Sequence, residues 1–255
     1  AGNNNTLTGN TCQGNYGSGI YLSSDSSATV VAGNTCQGNT DDGIFVISSI
    51  NNTVTGNTCQ GNGDSGISII GASDNCIVAG NTCQGNTEDG IYLASDNNTV
   101  TGNSCSGNTE HGIFLTTSHN NTVVGNSCNG NDSGNTGAYD GISLSGSDGN
   151  LVLGNMCRAN DRWGIMVDAD SDFNKVSNNY TEGNTAGSIR VNNANCNRNQ
   201  IEFNTVEEGA PGNVGTETRS YGNYDPSVNL FVGDVGYSRF GGGSLARVPS
   251  HSVVN

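Results

Sequence analysis

The sequence predicts an all-β protein, a right-handed parallel β-helix built as a three-strand β-solenoid with a C-terminal cap or tail. Three observations predict this fold: a repeat of about 23 residues, apolar residues in period two within each repeat, and the lack of any 3.6-residue pattern. The unit GNTCQGN at 9–15 recurs almost verbatim at 33–39, 56–62 and 80–86, and in looser form from Gly102, Gly125 and Gly154. We expect about nine to ten coils, each adding a rung of about 4.8 Å along the axis.

Each coil is expected to contain three short strands with apolar inward side chains. Four inward positions recur, and polar residues alternate with them, which is typical of strands with one buried face. The first strand carries the column from Leu7 to Ile201, the second a cysteine column, and the third the columns from Ile20 to Ile189 and from Leu22 to Val191.

Asparagine is predicted to occupy the corners between the strands. One column runs from Asn10 to Asn204, and a second runs from Asn15 to Asn184. Asparagine tolerates left-handed backbone at a tight corner, and its amide can bond the same amide one rung above and below. These columns predict asparagine ladders along the rod.

The nine cysteines are interpreted as buried thiols acting as small apolar residues. Seven form one inward column: Cys12, Cys36, Cys59, Cys83, Cys105, Cys128 and Cys157. On successive rungs the Cβ atoms of these cysteines are about 4.8 Å apart and their side chains are parallel. This distance exceeds the Cβ–Cβ distance of about 3.5–4.5 Å in a disulfide. A metal column is the alternative, but neither Cys-x-x-Cys nor a nearby His supports it. Cys76 and Cys196 lie near the third corner, too far apart to bridge.

Composition excludes several classes of partner. The formal net charge is −15, and no Lys or Arg precedes Arg158, so binding to nucleic acid or to an anionic membrane surface is not expected. No apolar run is long enough to span a membrane. Low aliphatic content with high charge would by itself indicate disorder, but the repeat overrules that interpretation, because stacked coils need few apolar residues each.

The repeats resemble a known family. The segments NTVTGNTCQGN at 52–62 and DGIYL at 89–93 are similar to the right-handed parallel β-helix repeats of the NosD-like, carbohydrate-binding and sugar-hydrolase group, which has a pectate-lyase-like fold. Surface proteins and phage tailspikes carry similar repeats. The resemblance covers residues 1 to about 206, and it implies the fold without fixing a function, because this scaffold hosts both enzymes and inert rods.

One edge of the rod varies strongly between coils, and we predict that function lies there. Acidic residues follow the second Asn column, and the outward residue between the two buried positions of the third strand is aromatic in several coils. Rings stack on sugar faces and carboxylates accept hydroxyl hydrogen bonds, so the pattern predicts a carbohydrate-binding groove. The predicted substrate-binding residues are Tyr21, Phe45, Tyr92, Phe114, Trp163, Asp42, Asp89 and Glu110. No cofactor or metal is predicted, although binding of Ca²⁺ at the acidic edge is left as an open alternative. The alternative is that the acids only solubilise the rod and the rings only stack.

A catalytic site is a further hypothesis. A lyase acting on uronates needs a cation and a base, and only the later coils supply cations. The candidate catalytic residues are Asp140, Asp161, Arg162, Asp168 and Arg190. Carboxylates on neighbouring rungs also match the spacing of glycosidase pairs, but every acidic column on a solenoid does so.

A third interpretation uses the outward residues of the first strand. Thr pairs such as Thr53 and Thr55 form a flat uncharged face that resembles ice-binding arrays. The pairs alternate with Val/Ala or Ile/Ala coils, so strand propensity explains them nearly as well. The same face could be a contact between subunits.

Taken together, these patterns predict β-helix repeats at 1–206, a degenerate last coil at 207–223, and a C-terminal cap or intersubunit tail at 224–255. We expect the tail to pack on the last coil or on a neighbouring chain. The predicted role is an extracellular, cell-surface or virion-appendage rod that contacts a polysaccharide or cell-surface glycan, with homo-oligomeric or end-to-end assembly. A polysaccharide hydrolase or lyase with a site near coils 6–8 is the alternative, and ice binding is the second alternative.

Overall fold

The computed structural model describes residues 2–24, 26–193, 195–207, 212–213, 219–225 and 230–232. It is a right-handed parallel β-solenoid of about eight turns with three sheets, which confirms the predicted fold class. No helix occurs among these residues, and so none of them forms a helix able to span a membrane. A turn is one strand from each sheet, numbered from the N-terminus.

Sheet 1 carries the first apolar column. Its ten strands are β1 (Thr6–Thr8), β4 (Val30–Ala32), β7 (Thr53–Thr55), β10 (Ile77–Ala79), β13 (Thr99–Thr101), β16 (Thr122–Val124), β19 (Leu151–Leu153), β22 (Lys175–Ser177), β25 (Gln200–Glu202) and β28 (Arg219–Tyr221).

Sheet 2 carries the cysteine column. Its strands are β2 (Thr11–Gln13), β5 (Thr35–Gln37), β8 (Thr58–Gln60), β11 (Thr82–Gln84), β14 (Ser104–Ser106), β17 (Ser127–Asn129), β20 (Met156–Arg158), β23 (Tyr180–Glu182), β26 (Thr205–Val206), β29 (Asn223–Asp225) and β30 (Leu230–Val232).

Sheet 3 carries the two remaining apolar columns, and its outer face is the one beside the variable loops. Its strands are β3 (Ile20–Leu22), β6 (Ile44–Ile47), β9 (Ile67–Ile70), β12 (Ile91–Ala94), β15 (Ile113–Thr116), β18 (Ile142–Ser145), β21 (Trp163–Asp168), β24 (Gly187–Val191) and β27 (Gly212–Asn213).

The turn count is lower than the predicted nine to ten. Eight turns have three full strands, but β27, the ninth strand of sheet 3, has only two residues. The repeat decays here because the sequence after Val206 no longer supplies the third apolar strand. The predicted boundaries at 206 and 223 stay predictions, and most of the predicted tail at 224–255 lies outside the described residues. Within it, β30 pairs antiparallel with β29.

Asparagine ladders connect successive turns by hydrogen bonds at the corners. In the first ladder, the Asn103 side chain donates to Asn126 Oδ1 over 2.9 Å and to the Val78 carbonyl over 2.9 Å. A second ladder runs through Asn108 and Asn131 with the same 2.9 Å amide contact. A third corner adds a further column that includes Asn150 and Asn174. The asparagine amides thereby supply hydrogen-bond partners for the buried backbone at the corners.

The core is one continuous column of aliphatic side chains and thiols. Cys36 to Cys157 are fully buried, and successive cysteines of sheet 2 are direct strand partners. All nine cysteines are free, and Cys12 in the first turn is the only partly exposed one. Burial, together with repulsion from Cys36, raises the pKa of the Cys12 thiol.

We expect at most one thiol, that of Cys12, to react with a thiol-specific reagent in the native protein. All nine should react after denaturation, because the thiolate is the nucleophile and the other eight side chains are buried. Ellman's reagent in the absence and presence of guanidinium measures both numbers. Cys12→Ser should abolish the native reaction, and rapid native modification of several thiols would contradict the packing described.

Candidate functional site

A cleft of about 330 Å³ lies on the outer face of sheet 3, across turns 2 to 5. We call it the acidic–aromatic cleft. The residues lining it are Asp42, Phe45, Asp64, Ser68, Ile70, Glu88, Asp89, Tyr92, Glu110 and Phe114. The side chains come from the outward positions of β6, β9, β12 and β15 and from the variable loops that precede these strands. Six of the eight predicted substrate-binding residues therefore share one cleft.

The aromatic column is interrupted in turn 3, and the cleft forms around the gap. Phe45 and Tyr92 lie on either side of Ser68, which pairs with both in strand register. Tyr21 stacks on Phe45 with ring centroids 5.4 Å apart, and the Tyr92 and Phe114 centroids are 5.8 Å apart. Two rungs separate Phe45 from Tyr92, which is about 10 Å. This gap between the two aromatic pairs is wide enough for a small ring-shaped ligand.

The carboxyl groups of the cleft are held partly out of water. Burial raises the pKa of Asp42 to about 6, although the Ser68 hydroxyl donates to its Oδ1 over 2.5 Å. Burial also raises the pKa of Asp89, whose Oδ1 accepts the His111 backbone N–H over 2.9 Å. Burial, followed by repulsion from neighbouring acids, raises the pKa of Glu88. Asp42 is therefore largely protonated at mildly acidic pH, below its pKa of about 6.

We expect Asp42→Asn to stabilise the fold at neutral pH. The folded-state pKa of about 6 lies above the ordinary 3.8, so the folded protein retains this proton and loses stability as the pH rises through about 4 to about 6. The asparagine should raise the free energy of unfolding at pH 7 by about 1–3 kcal/mol. Urea denaturation at pH 7 and at pH 4 measures the difference.

The gain from Asp42→Asn should be much smaller at pH 4, where the folded-state aspartate is protonated and the unfolded-state aspartate, with a pKa of 3.8, is only partly ionised. Asp41→Asn, at the exposed neighbouring position, is the matched control and should change little at either pH. An equal gain from Asp42→Asn at both pH values would show that ionisation is not its cause.

An ion pair between the half-buried Arg162 and the buried Asp140 lies beside the cleft at turn 6. Arg162 contacts both carboxylate oxygens of Asp140, with Nε 2.7 Å from Oδ1, and the Trp163 N–H donates to the same oxygen over 3.0 Å. The Asp140 N–H donates to Nδ1 of His111 over 2.9 Å. Burial, followed by repulsion from Arg162, lowers the pKa of His111 to about 3. His111 is therefore a neutral acceptor at a corner where the two neighbouring turns have Asp89 and Asp140.

The remaining predicted catalytic residues are dispersed. Asp161 accepts the Gly137 N–H over 2.9 Å, and Asp168 accepts from the Asn192 side-chain amide over 3.0 Å at the far end of β21. Arg190 lies over the Trp163 ring, 5.7 Å from its centroid. The structure thus brings Asp140 and Arg162 together as a closed pair, and it places Arg190 beside Trp163 outside the acidic–aromatic cleft.

Sequence reasoning did not single out several residues that matter here. Asp64, Glu88 and Ser68 line the cleft, and His111 and Tyr139 stand at its end. The loop pattern contained Asp64 and Glu88, and the serine break in the aromatic column was also visible in the sequence. Within the described residues, no group of three or more His, Cys, Asp or Glu side chains is arranged to hold a metal ion. Calcium at the acidic edge stays a hypothesis.

The outward face of sheet 1 is the site of the ice-binding hypothesis. Thr53 and Thr55 are strand partners of Ile77 and Ala79, which in turn pair with Thr99 and Thr101. The Thr55 hydroxyl donates to the Ala79 carbonyl over 3.0 Å. The threonine pairs are therefore interrupted on alternate turns, and ice binding stays a prediction.

Fold and site together define a parallel β-helix with a lateral cleft. The family model for the right-handed beta helix region matches residues 1–139 and 71–230, and the chain belongs to this family. No curated protein gives a significant sequence match.

Three solved structures illustrate the likeness. The chain is similar to the A-module of mannuronan C-5 epimerase AlgE4 of Azotobacter vinelandii, with TM-score 0.64 and 18% identity over 71% of this chain and 54% of that one. It is also similar to the periplasmic alginate epimerase AlgG, with TM-score 0.59 and 21% identity over 81% of this chain and 47% of that one. The third is the Dettilon tailspike protein, with TM-score 0.62 and 14% identity over 86% of this chain and 47% of that one. The chain spans about half the length of these structures, and the likeness shows the fold.

Proposed function

We propose that the protein is a carbohydrate-contacting β-helix rod that binds a glycan in the acidic–aromatic cleft. The observation that carries this proposal is the interrupted aromatic column, in which two ring pairs flank a serine-floored gap lined by carboxyls. Rings pack on the apolar faces of sugars, and carboxylates accept hydrogen bonds from sugar hydroxyls.

The charge of the cleft narrows the glycan class. None of the residues lining it is Lys or Arg, and five are Asp or Glu. An anionic polyuronate would be repelled by these carboxylates, whereas a neutral or amine-bearing glycan would not. We therefore propose a neutral or amine-bearing glycan, although two of the structurally similar proteins are named as alginate or mannuronan epimerases.

A glycan array tests this proposal. We expect the protein to bind neutral or amine-bearing oligosaccharides, and Tyr92→Ala to weaken binding at least about tenfold, because one stacking ring is lost. Tyr16→Ala is the matched control, since Tyr16 is 99% exposed and does not line the cleft. Equal loss in both variants, or preferential binding of polyuronates, would contradict the proposal.

Glycoside hydrolysis is the second candidate function. It is favoured by one observation: Asp42, with a pKa raised to about 6, lies in the same cleft as Asp64, whose negative charge contributes to that shift. A raised-pKa acid beside a second carboxyl is the arrangement that glycosidases use. Release of reducing ends from array-positive glycans, abolished in both Asp42→Asn and Asp64→Asn, would support hydrolysis. Binding without release would leave the rod non-catalytic.

The cellular setting is also a proposal. We place the protein outside the cell, at the cell surface or on a virion, where a rod that contacts glycans would meet them. The resemblance in fold to a periplasmic epimerase and to a tailspike is consistent with this setting. Homo-oligomeric or end-to-end assembly is proposed with it, and light scattering of the purified chain tests it.

A further inference from the structure

We infer that the acidic–aromatic cleft is closed at one end and takes the terminus of a glycan chain, not its interior. This inference rests on the proposed carbohydrate binding and specifies which part of the glycan is bound. It is carried by the different burial of one column of residues along sheet 3 and by the loop at 132–140.

The large side chains in the outward column of sheet 3 change from accessible to covered between turn 5 and turn 7. Tyr21 in turn 1 is 59% exposed, and Phe45, Tyr92 and Phe114 are half-buried. In contrast, Met166 in turn 7, the next large side chain of the column, is 2% exposed. The two small members of the column, Ser68 in turn 3 and Ser143 in turn 6, are both 4% exposed and do not distinguish the two regions. The column is in register throughout, so the difference reflects what covers it and not the strand geometry. A polymer lying along the aromatic residues from turn 1 therefore finds no further accessible large side chain of this column between turn 5 and turn 7.

The loop at 132–140 builds the closing wall. The Tyr139 ring stands edge-on to the His111 ring with centroids 5.1 Å apart, and the His111 ring lies 4.7 Å from that of Phe114. A hydrogen bond to Glu110 raises the pKa of the Tyr139 phenol. Phe114 and Glu110 both line the cleft, so Tyr139 stands directly at its turn-5 end.

Hydrogen bonds hold this loop in place. The Asp132 carboxylate accepts the backbone N–H groups of Thr136, Ala138 and Tyr139 over 2.9 to 3.2 Å. The Gly137 N–H donates to Asp161 in the next turn over 2.9 Å. Behind the loop, the ion pair of Asp140 with Arg162 fixes the corner. Satisfied local hydrogen bonds of this kind make the wall a built part of the site.

The cleft is therefore open towards turn 1 and blind towards turn 6. From turn 2 to turn 5 it covers three rungs, about 14 Å, which accommodates only a few sugar rings. A chain whose end meets Tyr139 fits this space, whereas the interior of a long polymer would have to pass through the wall.

The test compares oligosaccharides with polymers of the same linkage. Gluco-, manno-, galacto- and chito-oligosaccharides are printed beside their parent polysaccharides at equal mass, with some oligosaccharides attached through each end. We expect the signal to follow the number of free chain ends, so the polymers should bind at least about tenfold more weakly per mass. Attachment through the recognised end should abolish binding.

Two variants probe the wall itself. Tyr139→Ala should reduce the difference in binding per mass between oligosaccharide and polymer, and deletion of 133–138 should reduce it further. Tyr16→Ala is the control and should leave the ratio unchanged. Equal binding of oligomer and polymer per mass by the unmodified protein would overturn end recognition while leaving carbohydrate binding intact. Absence of binding to every glycan would overturn both.

Discussion

Gly112→Ala is expected to destabilise the rod by about 3–5 kcal/mol, more than an ordinary surface substitution by an order of magnitude. A Cβ atom at this position would lie 2.5 Å from the Gly141 carbonyl oxygen and 2.8 Å from both Cys128 Cβ and Asn131 Nδ2. The nearest of these atoms belongs to the backbone of the next turn, which cannot move without breaking the rung. Urea denaturation and hydrogen exchange of the central turns measure the loss.

The matched control for Gly112→Ala is Gly107→Ala in the same turn. Gly107 has φ of +62°, and nothing lies within 4 Å of a Cβ built there. Its substitution costs only the left-handed backbone strain, about 1–2 kcal/mol. If the two alanines proved equally destabilising, the close approach of neighbouring turns at Gly112 would be refuted.

Asn103→Ala is expected to cost about 3–5 kcal/mol, because it removes one rung of a buried ladder. The Asn103 side chain donates to Asn126 and to the Val78 carbonyl, and its Oδ1 accepts both N–H donors of Asn81 over 2.9 and 3.0 Å. Alanine would leave the Asn81 backbone N–H and the Val78 carbonyl buried without these partners. The free energy of unfolding, from urea titration, is the measurement.

Gln84→Ala serves as the comparison for Asn103→Ala. Gln84 lies on the exposed outer face of sheet 2, so its truncation should change stability by less than about 0.5 kcal/mol. A similar small effect for Asn103→Ala would mean that water replaces the ladder bonds and that the corners are not sealed.

Much of the fold was predictable because a solenoid is nearly one-dimensional. Each turn contacts its neighbours only, so a repeat of about 23 residues with period-two apolar positions specifies rungs, register and corners at once. The register of Cys83 with Cys105 and the amide bond from Asn103 to Asn126 follow directly from that spacing. The turn count was overestimated, because the repeat weakens beyond Val206 and the third strand of the next turn shortens to Gly212–Asn213.

The candidate site was less predictable. The sequence indicated the edge and most of the lining residues, including Asp42, Tyr92 and Phe114, since these occupy outward positions of a known register. It did not indicate that Asp140 and Arg162 would form a closed pair, because side-chain rotamers and loop conformation decide that contact. Glu110 and Tyr139 lie in the variable loops of neighbouring turns. Only the path of the loop at 132–140 brings the Tyr139 phenol to the Glu110 carboxylate.

What the sequence by itself determined is the rod: strand positions, inward columns, asparagine corners, and an acidic edge without cations before Arg158. These features recur in every coil, so the pattern of one repeat, together with the stacking of the coils, is enough to predict them. What only the tertiary structure decided is the shape of the surface, namely the volume of the cleft around Ser68, the shifted pKa of Asp42 and the position of the Tyr139 ring against His111. Those features arise where one turn departs from its neighbours, because the resulting space and desolvation depend on atoms contributed by several turns together.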